Sequence, residues 1–386
     1  MECGVPQGSV LGPLLWNLLY DGLLKMPVPE GVHLIAYADD LAVIIKAKTS
    51  EEIMYKGNRV IQKIITWLEG KHLEIAEQKT ECSMLVGRKK HGKVTFQVKN
   101  LEIFPKNEIK YLGVLLDRNM QFGKHLANQI DKANKTTKEL ARLMPRMEGP
   151  NENKRRLLMN VVHSIILYGV EVWCEVFNIK KYRKMAERTQ RMLCLKISRG
   201  YRTIGIEPVR VIARVIPIHL MAEERVRQAR GGVPKKTSRE ITMNCWQEIW
   251  SGYKGSEWTR RLIPKIEEWY NRKFGNIDYH LTQMLSGHGC FQSFLFAIKR
   301  AETPMCLYCN EEEETAEHTF TECSKWKERR EEVKTKTGRE ITSNNLVQIM
   351  LESEDNWQII LNYTRQILEQ KERDEKRRQR QEEFFR

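Results

Sequence analysis

Apolar residues recur at helical spacing near the start of the chain, at Leu11, Leu14, Leu15, Leu18 and Leu19. Ser9 just ahead of them predicts an N-cap for a helix running to about Lys25. The pattern then shortens. Two apolar runs, Val32 to Tyr37 and Leu41 to Lys46, flank Ala38-Asp39-Asp40 and predict a β-hairpin with its acids at the tip. Thr49 followed by Glu52 has the form of a capping box and opens a helix with Ile53, Val60, Ile61, Ile64, Ile65 and Leu68 on its apolar face. Cys82 to Val86, Val94 to Val98 and Ile109 to Leu116 are rich in β-formers and predict strands.

After Asp117 helical spacing dominates to about Arg230, with breaks near Pro145, Gly149-Pro150, Gly169 and Gly200. Gly231-Gly232-Val233-Pro234 reads as a linker. A helical stretch with Trp246, Trp250, Trp258 and Trp269 follows, then a cysteine cluster. A last helix from about Asn344 carries the charge run Lys371 to Arg380, which is most simply a solvated helix end. The expected fold class is α+β: a hairpin and small sheet followed by a mostly helical remainder.

Composition adds a partner class. The chain of 386 residues has a net charge of +15, and 41 % of it is apolar, enough for real cores. From Gln121 to Arg230 there are 23 Lys and Arg against 10 Asp and Glu, so most of the excess sits in one segment. That concentration points to a polyanion, nucleic acid first. No stretch reads as a signal peptide or a membrane span, so the expected setting is the nucleus or cytoplasm, not a secretory one. In a reducing compartment, clustered cysteines bind metal more often than they pair. Cys306, Cys309, His318 and Cys323 offer three thiolates and an imidazole, a full tetrahedral set for structural Zn²⁺.

Adjacent carboxylates at a hairpin tip are costly unless a cation neutralises them. Mg²⁺ is the usual one, because it takes one or two carboxylates and leaves positions for phosphates. Strand geometry would send Asp39 and Asp40 to opposite faces, so a two-ion site needs a further carboxylate. Taken alone, Asp-Asp is also ordinary turn chemistry.

The neighbours of the pair decide between these. Tyr37-Ala38-Asp39-Asp40, preceded by Gly4-Val5-Pro6-Gln7-Gly8-Ser9-Val10-Leu11-Gly12-Pro13 and Trp16-Asn17, resembles two consecutive palm motifs of LINE-type (non-LTR retrotransposon) reverse transcriptases. The resemblance implies that Asp39 and Asp40 are catalytic Mg²⁺ ligands, that Gln7 and Gly8 line the incoming-nucleotide pocket, and that Tyr37 sits near the primer end. Leu73 to Glu81 resembles the next motif. Lys79 there would stand by the leaving pyrophosphate, with a merely solvated lysine the equal alternative. Tyr111-Leu112-Gly113-Val114 resembles the primer-grip strand. The basic helices occupy the place of the thumb, where Lys132, Lys135, Lys138, Arg142, Lys154, Arg155 and Arg156 would track phosphates. Gly287-His288-Gly289-Cys290-Phe291, the cysteine cluster, and Trp326 with Arg329-Arg330 resemble the C-terminal knuckle of elements of the arthropod rDNA-targeting kind.

On this resemblance the organisation is a partial palm over 1–118, a basic thumb over 119–232, a connector over 233–300, a zinc knuckle over 301–330 and a charged helical tail over 331–386. The implied partners are an RNA template, a DNA primer or target, and deoxynucleotides, with no membrane. The family's first palm aspartate lies upstream of the Gly4 motif, and only three residues precede that motif here. The expectation is therefore a chain shortened at its N-terminus that does not polymerise unaided. The alternative is a non-catalytic, zinc-containing RNA- or DNA-binding remnant. No Pro-Asp followed by a spaced acid-x-Lys occurs after the knuckle, so no C-terminal endonuclease is expected.

Overall fold

A computed structural model of the chain describes residues 8–85, 92–147 and 149–384. The chain divides into two compact units, residues 1–122 and 123–386. It is α+β, with small sheets confined to the first unit.

The first unit runs α1 (Gly12–Leu24), β1 (Val32–Tyr37), β2 (Asp40–Ile45), α2 (Ser50–Glu69), β3 (Cys82–Ser83), β4 (Phe96–Val98), β5 (Leu101–Ile103), β6 (Pro105–Lys106), β7 (Glu108–Tyr111) and β8 (Val114–Asp117). Helix α1 begins at Gly12, with Pro13 in its first turn, where a missing N–H costs nothing. The Ser9 side chain does not cap it, contrary to the sequence expectation; only the Ser9 carbonyl accepts a bond, from the Gly12 N–H at 3.3 Å. The helix buries Tyr20 and Leu23 and half-buries Trp16, while Leu11, Leu14, Leu15 and Leu18 stay exposed. Spacing marked an apolar stripe correctly but not the side that packs.

Strands β1 and β2 pair antiparallel from Val32↔Ile45 to Tyr37↔Asp40, as the alternation predicts. Val32, Leu34 and Ala36 with Leu41, Val43 and Ile45 pack on a core that α2 closes with Val60, Ile64 and Leu68. The cap of α2 forms: Thr49 Oγ1 accepts from the Glu52 N–H at 3.2 Å, and Glu52 reaches back to the Lys48 N–H at 3.1 Å. Gly57 allows α2 to approach β4, because a Cβ there would lie 2.2 Å from the Phe96 ring. The expected strand Ile109–Leu116 is instead a hairpin, β7 paired with β8, turning at Leu112 (φ 45°) and Gly113 (φ 83°). Two successive positive φ values are the signature of a tight hairpin turn, so the primer-grip-like residues sit on a turn rather than within a strand. The expected strand from Cys82 ends at Ser83, and Val86 lies outside the described residues.

The second unit is helical: α3 (Gly123–Arg142), α4 (Glu152–Ile166), α5 (Val170–Trp173), α6 (Lys180–Ser198), α7 (Ile206–Ile212), α8 (Ile218–Ala229), α9 (Lys235–Ser251), α10 (Glu257–Leu262), α11 (Ile266–Tyr270), α12 (Tyr279–Ser286), α13 (Gln292–Ala297), α14 (Lys327–Thr337), α15 (Leu346–Glu352) and α16 (Glu354–Phe384). One apolar core runs from Val211 to Leu368 and takes in Trp246, Trp250, Trp269, Trp326 and Trp357, all fully buried. The cysteine-cluster segment contributes Cys306, Phe320, Cys323 and Trp326 to that same core. Among the described residues, no single helix is long and apolar enough to cross a membrane.

Candidate functional site

Three places carry the chemistry: the acidic hairpin, the lysine face of α3 and the cysteine–histidine cluster.

At the hairpin, Ala38 and Asp39 form the two-residue turn, and Asp40 opens β2 opposite Tyr37. Asp39 therefore lies in the turn, and strand alternation does not set its direction. Ala38 holds φ at 52°, a left-handed conformation that costs a non-glycine residue about 1 kcal/mol or more. Something has to fix that turn, and Trp16 does: its Nε1–H donates to the Ala38 carbonyl at 2.8 Å. The Trp16 ring stacks on Tyr20 at 4.7 Å, and Tyr20 meets Trp67 edge-on at 6.3 Å. Helix α1 thus locks the acidic tip through an aromatic ladder that no spacing rule reveals. Asp39, Asp40 and Tyr37 are exposed, and neither carboxylate forms an ion pair among the described residues. Burial pushes the Tyr20 hydroxyl above its ordinary pKa, and the charges of Asp39 and Asp40 push it further. Both acids therefore cast their field over the same phenol.

Gly8 is exposed, with φ 87°, ahead of α1; Gln7 lies outside the described residues. Lys79 ends a short 3₁₀ turn, Glu77–Lys79, and is exposed. Among the described residues no third His, Cys, Asp or Glu joins Asp39 and Asp40 in a metal-sized group.

On α3, Leu126, Ile130, Ala133 and Thr137 face the core. Lys132, Lys135, Lys138 and Arg142 are exposed and, at 100° per residue, lie within an arc of about 120° on the opposite side. Lys154 is exposed in the first turn of α4, which Asn151 caps by accepting from the Lys154 N–H at 3.0 Å. Arg155 corrects the sequence expectation. Its side chain is fully buried, and its guanidinium donates to the carbonyls of Pro150 at 2.7 Å, Lys196 at 2.8 Å and Pro145 at 2.5 Å. Burial lowers its pKa to about 10, with Arg199 adding to the effect. This arginine ties the loop ahead of α4 to the end of α6 and is not free for phosphate. Arg156 is half-buried beside the Tyr270 ring, 6.0 Å from its centroid.

At the cluster, the ligand atoms of Cys306, Cys309, His318 and Cys323 all lie within 4.8 Å of one another. Cys306 Sγ is 3.8 Å from Cys323 Sγ, and Cys309 Sγ is 3.4 Å from His318 Nε2. Asn310, with φ 58°, donates its N–H to the Cys306 carbonyl and folds the close pair into a knuckle. His318 Nδ1 lies 3.2 Å from a Glu312 carboxylate oxygen and 3.6 Å from one of Glu322. Nδ1 therefore carries the proton and Nε2 keeps its lone pair for a metal. Glu312 and Glu322 are partners that sequence reasoning missed; the only signal was acids placed around the histidine. Burial raises the Cys306 thiol to about 12 and also raises Cys323, whereas at Cys309 burial is outweighed by hydrogen bonds from the backbone at Glu311 and Glu312 and from Cys306 and His318, which lower it.

Comparison with known proteins gives a consistent result. Residues 1–116 match the family model of reverse transcriptase (RNA-dependent DNA polymerase). The chain is 25 % identical over 349 residues to a retrovirus-related Pol polyprotein from type-1 retrotransposable element R1 of Nasonia vitripennis, covering 83 % of this chain and 85 % of that one. It is 24 % identical to the corresponding R1 polyprotein of Bradysia coprophila, covering 85 % of this chain and 35 % of the relative. A probable RNA-directed DNA polymerase from transposon BS of Drosophila melanogaster is 30 % identical over 186 residues, 45 % of this chain and 20 % of that protein. The chain thus spans most of the first of these relatives but about a third or less of the other two. No solved structure matches.

Proposed function

Because this chain belongs to the LINE-type (non-LTR) retrotransposon reverse transcriptases, we propose that its acidic hairpin is the metal-holding part of an RNA-directed DNA polymerase centre and that its second unit grips nucleic acid. The observation that carries the proposal is the pair Asp39 and Asp40, exposed, without a cationic partner among the described residues, on a turn pinned by Trp16. Mg²⁺ held there would activate the primer 3′-hydroxyl and steady the leaving pyrophosphate. The chain's own residues set the geometry. Trp16 and Tyr20 hold the turn, and Tyr37 stands exposed next to it for the primer end. Gln7 and Gly8 would line the nucleotide pocket. Lys79, exposed on its short turn, is available to the pyrophosphate.

A two-ion centre needs a further carboxylate, and the described residues do not set one beside this pair. On this reading a segment bearing that aspartate completes the centre, and the chain alone does not polymerise. Primer extension on an RNA template tests both parts. Incorporation by the purified chain alone, abolished by Asp39→Ala, would overturn the incompleteness. Mn²⁺ binding that is unchanged in Asp39→Ala and Asp40→Ala would overturn the metal site itself.

A second reading is favoured by the cluster: a zinc-stabilised RNA- or DNA-binding protein without catalysis. A tetrahedral Zn²⁺ with Zn–S near 2.3 Å and Zn–N near 2.0 Å sets S···S near 3.8 Å and S···N near 3.5 Å. The separations of 3.8 Å and 3.4 Å fit. With three thiolates and one imidazole the ion has no open position, so its part is structural. The exposed face of α3 supplies the phosphate contacts. One zinc per chain by elemental analysis, lost in Cys309→Ser, together with salt-dependent binding of RNA or DNA, is the expected result. The two readings part on whether any added segment restores polymerisation.

A further inference from the structure

The second unit holds a half-open cavity of about 360 Å³ between α4, α8 and α11 that neither reading above uses. Taking about 30 Å³ per water, it has room for roughly a dozen waters or one mononucleotide-sized group. Four guanidiniums reach its wall: Arg156, Arg214, Arg225 and Arg239. Two of them are matched by carboxylates. Arg239 pairs with Glu224 at 3.0 Å, and Arg214 with Glu152 at 2.7 Å. The other two are not matched. Arg225 donates only to the Leu167 carbonyl at 3.1 Å, and Arg156 lies beside the Tyr270 ring with the Glu152 charge acting on it from beyond ion-pair distance; neither forms an ion pair among the described residues. His163 belongs to the same wall. The Gln190 carbonyl accepts from Arg210 Nε and from the Ile218 N–H, both at 3.0 Å, so its amide must donate to the Ile216 carbonyl and to His163 Nε2 at 3.2 Å. His163 Nε2 is then an acceptor and the proton sits on Nδ1. That Nδ1 is buried with no hydrogen-bond partner among the described residues.

We propose that this cavity is a phosphoryl-binding site, held by the forks of Arg156 and Arg225. The wall carries one carboxylate, Glu224, already paired with Arg239, so two half-buried arginines without ion pairs remain expensive unless an anion neutralises them, and a guanidinium fork matches phosphate oxygens two at a time. Burial and the charge of Arg214 already press Arg156 toward its neutral form, a cost that a bound anion offsets. The shared chemistry is a phosphate on a nucleotide or on the end of a nucleic-acid strand. The site lies within the second unit and is independent of the acidic hairpin.

Calorimetric titration of the full chain tests this without polymerisation. The ligands are deoxyadenosine monophosphate, deoxyadenosine, and one short single strand with a 5′-phosphate or a 5′-hydroxyl. At least one phosphorylated ligand should bind about tenfold or more tightly than its dephosphorylated counterpart. Preference shown by the mononucleotide assigns a free nucleotide; preference shown by the strand alone assigns a strand end. Arg156→Gln and Arg225→Gln should each abolish the preference, and Arg156→Lys, which keeps the charge but not the fork, should keep part of it. Lys254→Gln, at an exposed position outside the cavity, should leave it unchanged. Equal affinity for phosphorylated and dephosphorylated ligands overturns the proposal, as does a preference that survives both glutamine variants in chains with unchanged thermal melting.

Discussion

Glu152 tests how the second unit is held together. Its carboxylate is fully buried at the start of α4. One oxygen accepts from Arg214, at 2.7 Å and 2.9 Å, and from Arg272 at 3.2 Å. The other accepts from Arg272 and from the Ile277 N–H, both at 3.0 Å. Arg272 lies over the Trp269 ring at 4.0 Å and the Trp357 ring at 5.0 Å. Burial lowers it to about 9, so it remains a cation at neutral pH. Glu152→Gln keeps the shape of the side chain but leaves two buried guanidiniums uncompensated. Breaking a buried pair in this way costs about 3–5 kcal/mol. For a unit of this size that is a fall in Tm of roughly 6–20 °C, at about 2–4 °C per kcal/mol. Tryptophan fluorescence during urea unfolding is a suitable assay, because seven of the nine tryptophans lie after residue 122. Replacing Glu152, Arg214 and Arg272 together by methionine should recover much of the loss, since an apolar triad removes the charges as well as their pairing. A loss under about 1 kcal/mol for Glu152→Gln would refute the reasoning and show that water reaches the triad.

Four further outcomes are expected. Lys132→Gln, Lys135→Gln and Lys138→Gln should each flatten the salt dependence of nucleic-acid binding by about one unit of slope without changing Tm, whereas Arg155→Gln should lower stability by about 2–4 kcal/mol and leave the slope alone; gel shifts across a salt series with parallel melts separate the two. Glu312→Gln should weaken zinc binding by about 10- to 100-fold in a chelator competition, because it removes the acceptor that orients His318. His163 is buried, which lowers it to about 4 from an ordinary value of 6.5; as pH falls through 6.5 the unfolded chain takes up a proton that the folded chain refuses, so stability should drop by up to about 1.4 kcal/mol per pH unit down to about pH 4, and His163→Gln should flatten that fall in acid melts. Trp16→Phe removes the bond to the Ala38 carbonyl and should cost the first unit about 1 kcal/mol while weakening Mn²⁺ binding at the hairpin; unchanged Mn²⁺ affinity would show that the turn holds its shape without α1.

Much of the local structure is legible in the sequence because it depends on short-range rules. The alternation about Asp39-Asp40 and the Thr49–Glu52 cap both form. The spacing of Cys306, Cys309, His318 and Cys323 brings four ligand atoms together. What the sequence conceals depends on partners far along the chain. Arg155 reads as one more basic residue until Lys196, 41 positions later, takes its proton donor. Leu112-Gly113 reads as strand interior because the β-formers Ile109, Tyr111 and Val114 flank it, yet the glycine permits the left-handed turn that splits it. The apolar residues of α1 surround enough of the helix that periodicity could not choose a side, and Tyr20 and Leu23 won over the leucines. The cysteine cluster reads as a free-standing module, but its core residues belong to a cluster that extends to Leu368.

That last feature bears on stiffness. Helix α16 is roughly 46 Å long at 1.5 Å per residue, from its 31 residues. It grips the cysteine segment at successive heights. The Tyr363 hydroxyl donates to the Phe320 carbonyl at 2.7 Å, Lys371 is buried against Glu314, and Asp374 accepts from the Tyr308 hydroxyl at 3.0 Å. Three clamps over three helical turns leave no hinge between rod and knuckle, so the pair behaves as a lever with its fulcrum in the tryptophan core. A load applied near residue 380 would be felt at the cysteine–histidine cluster as torque and not absorbed as slack.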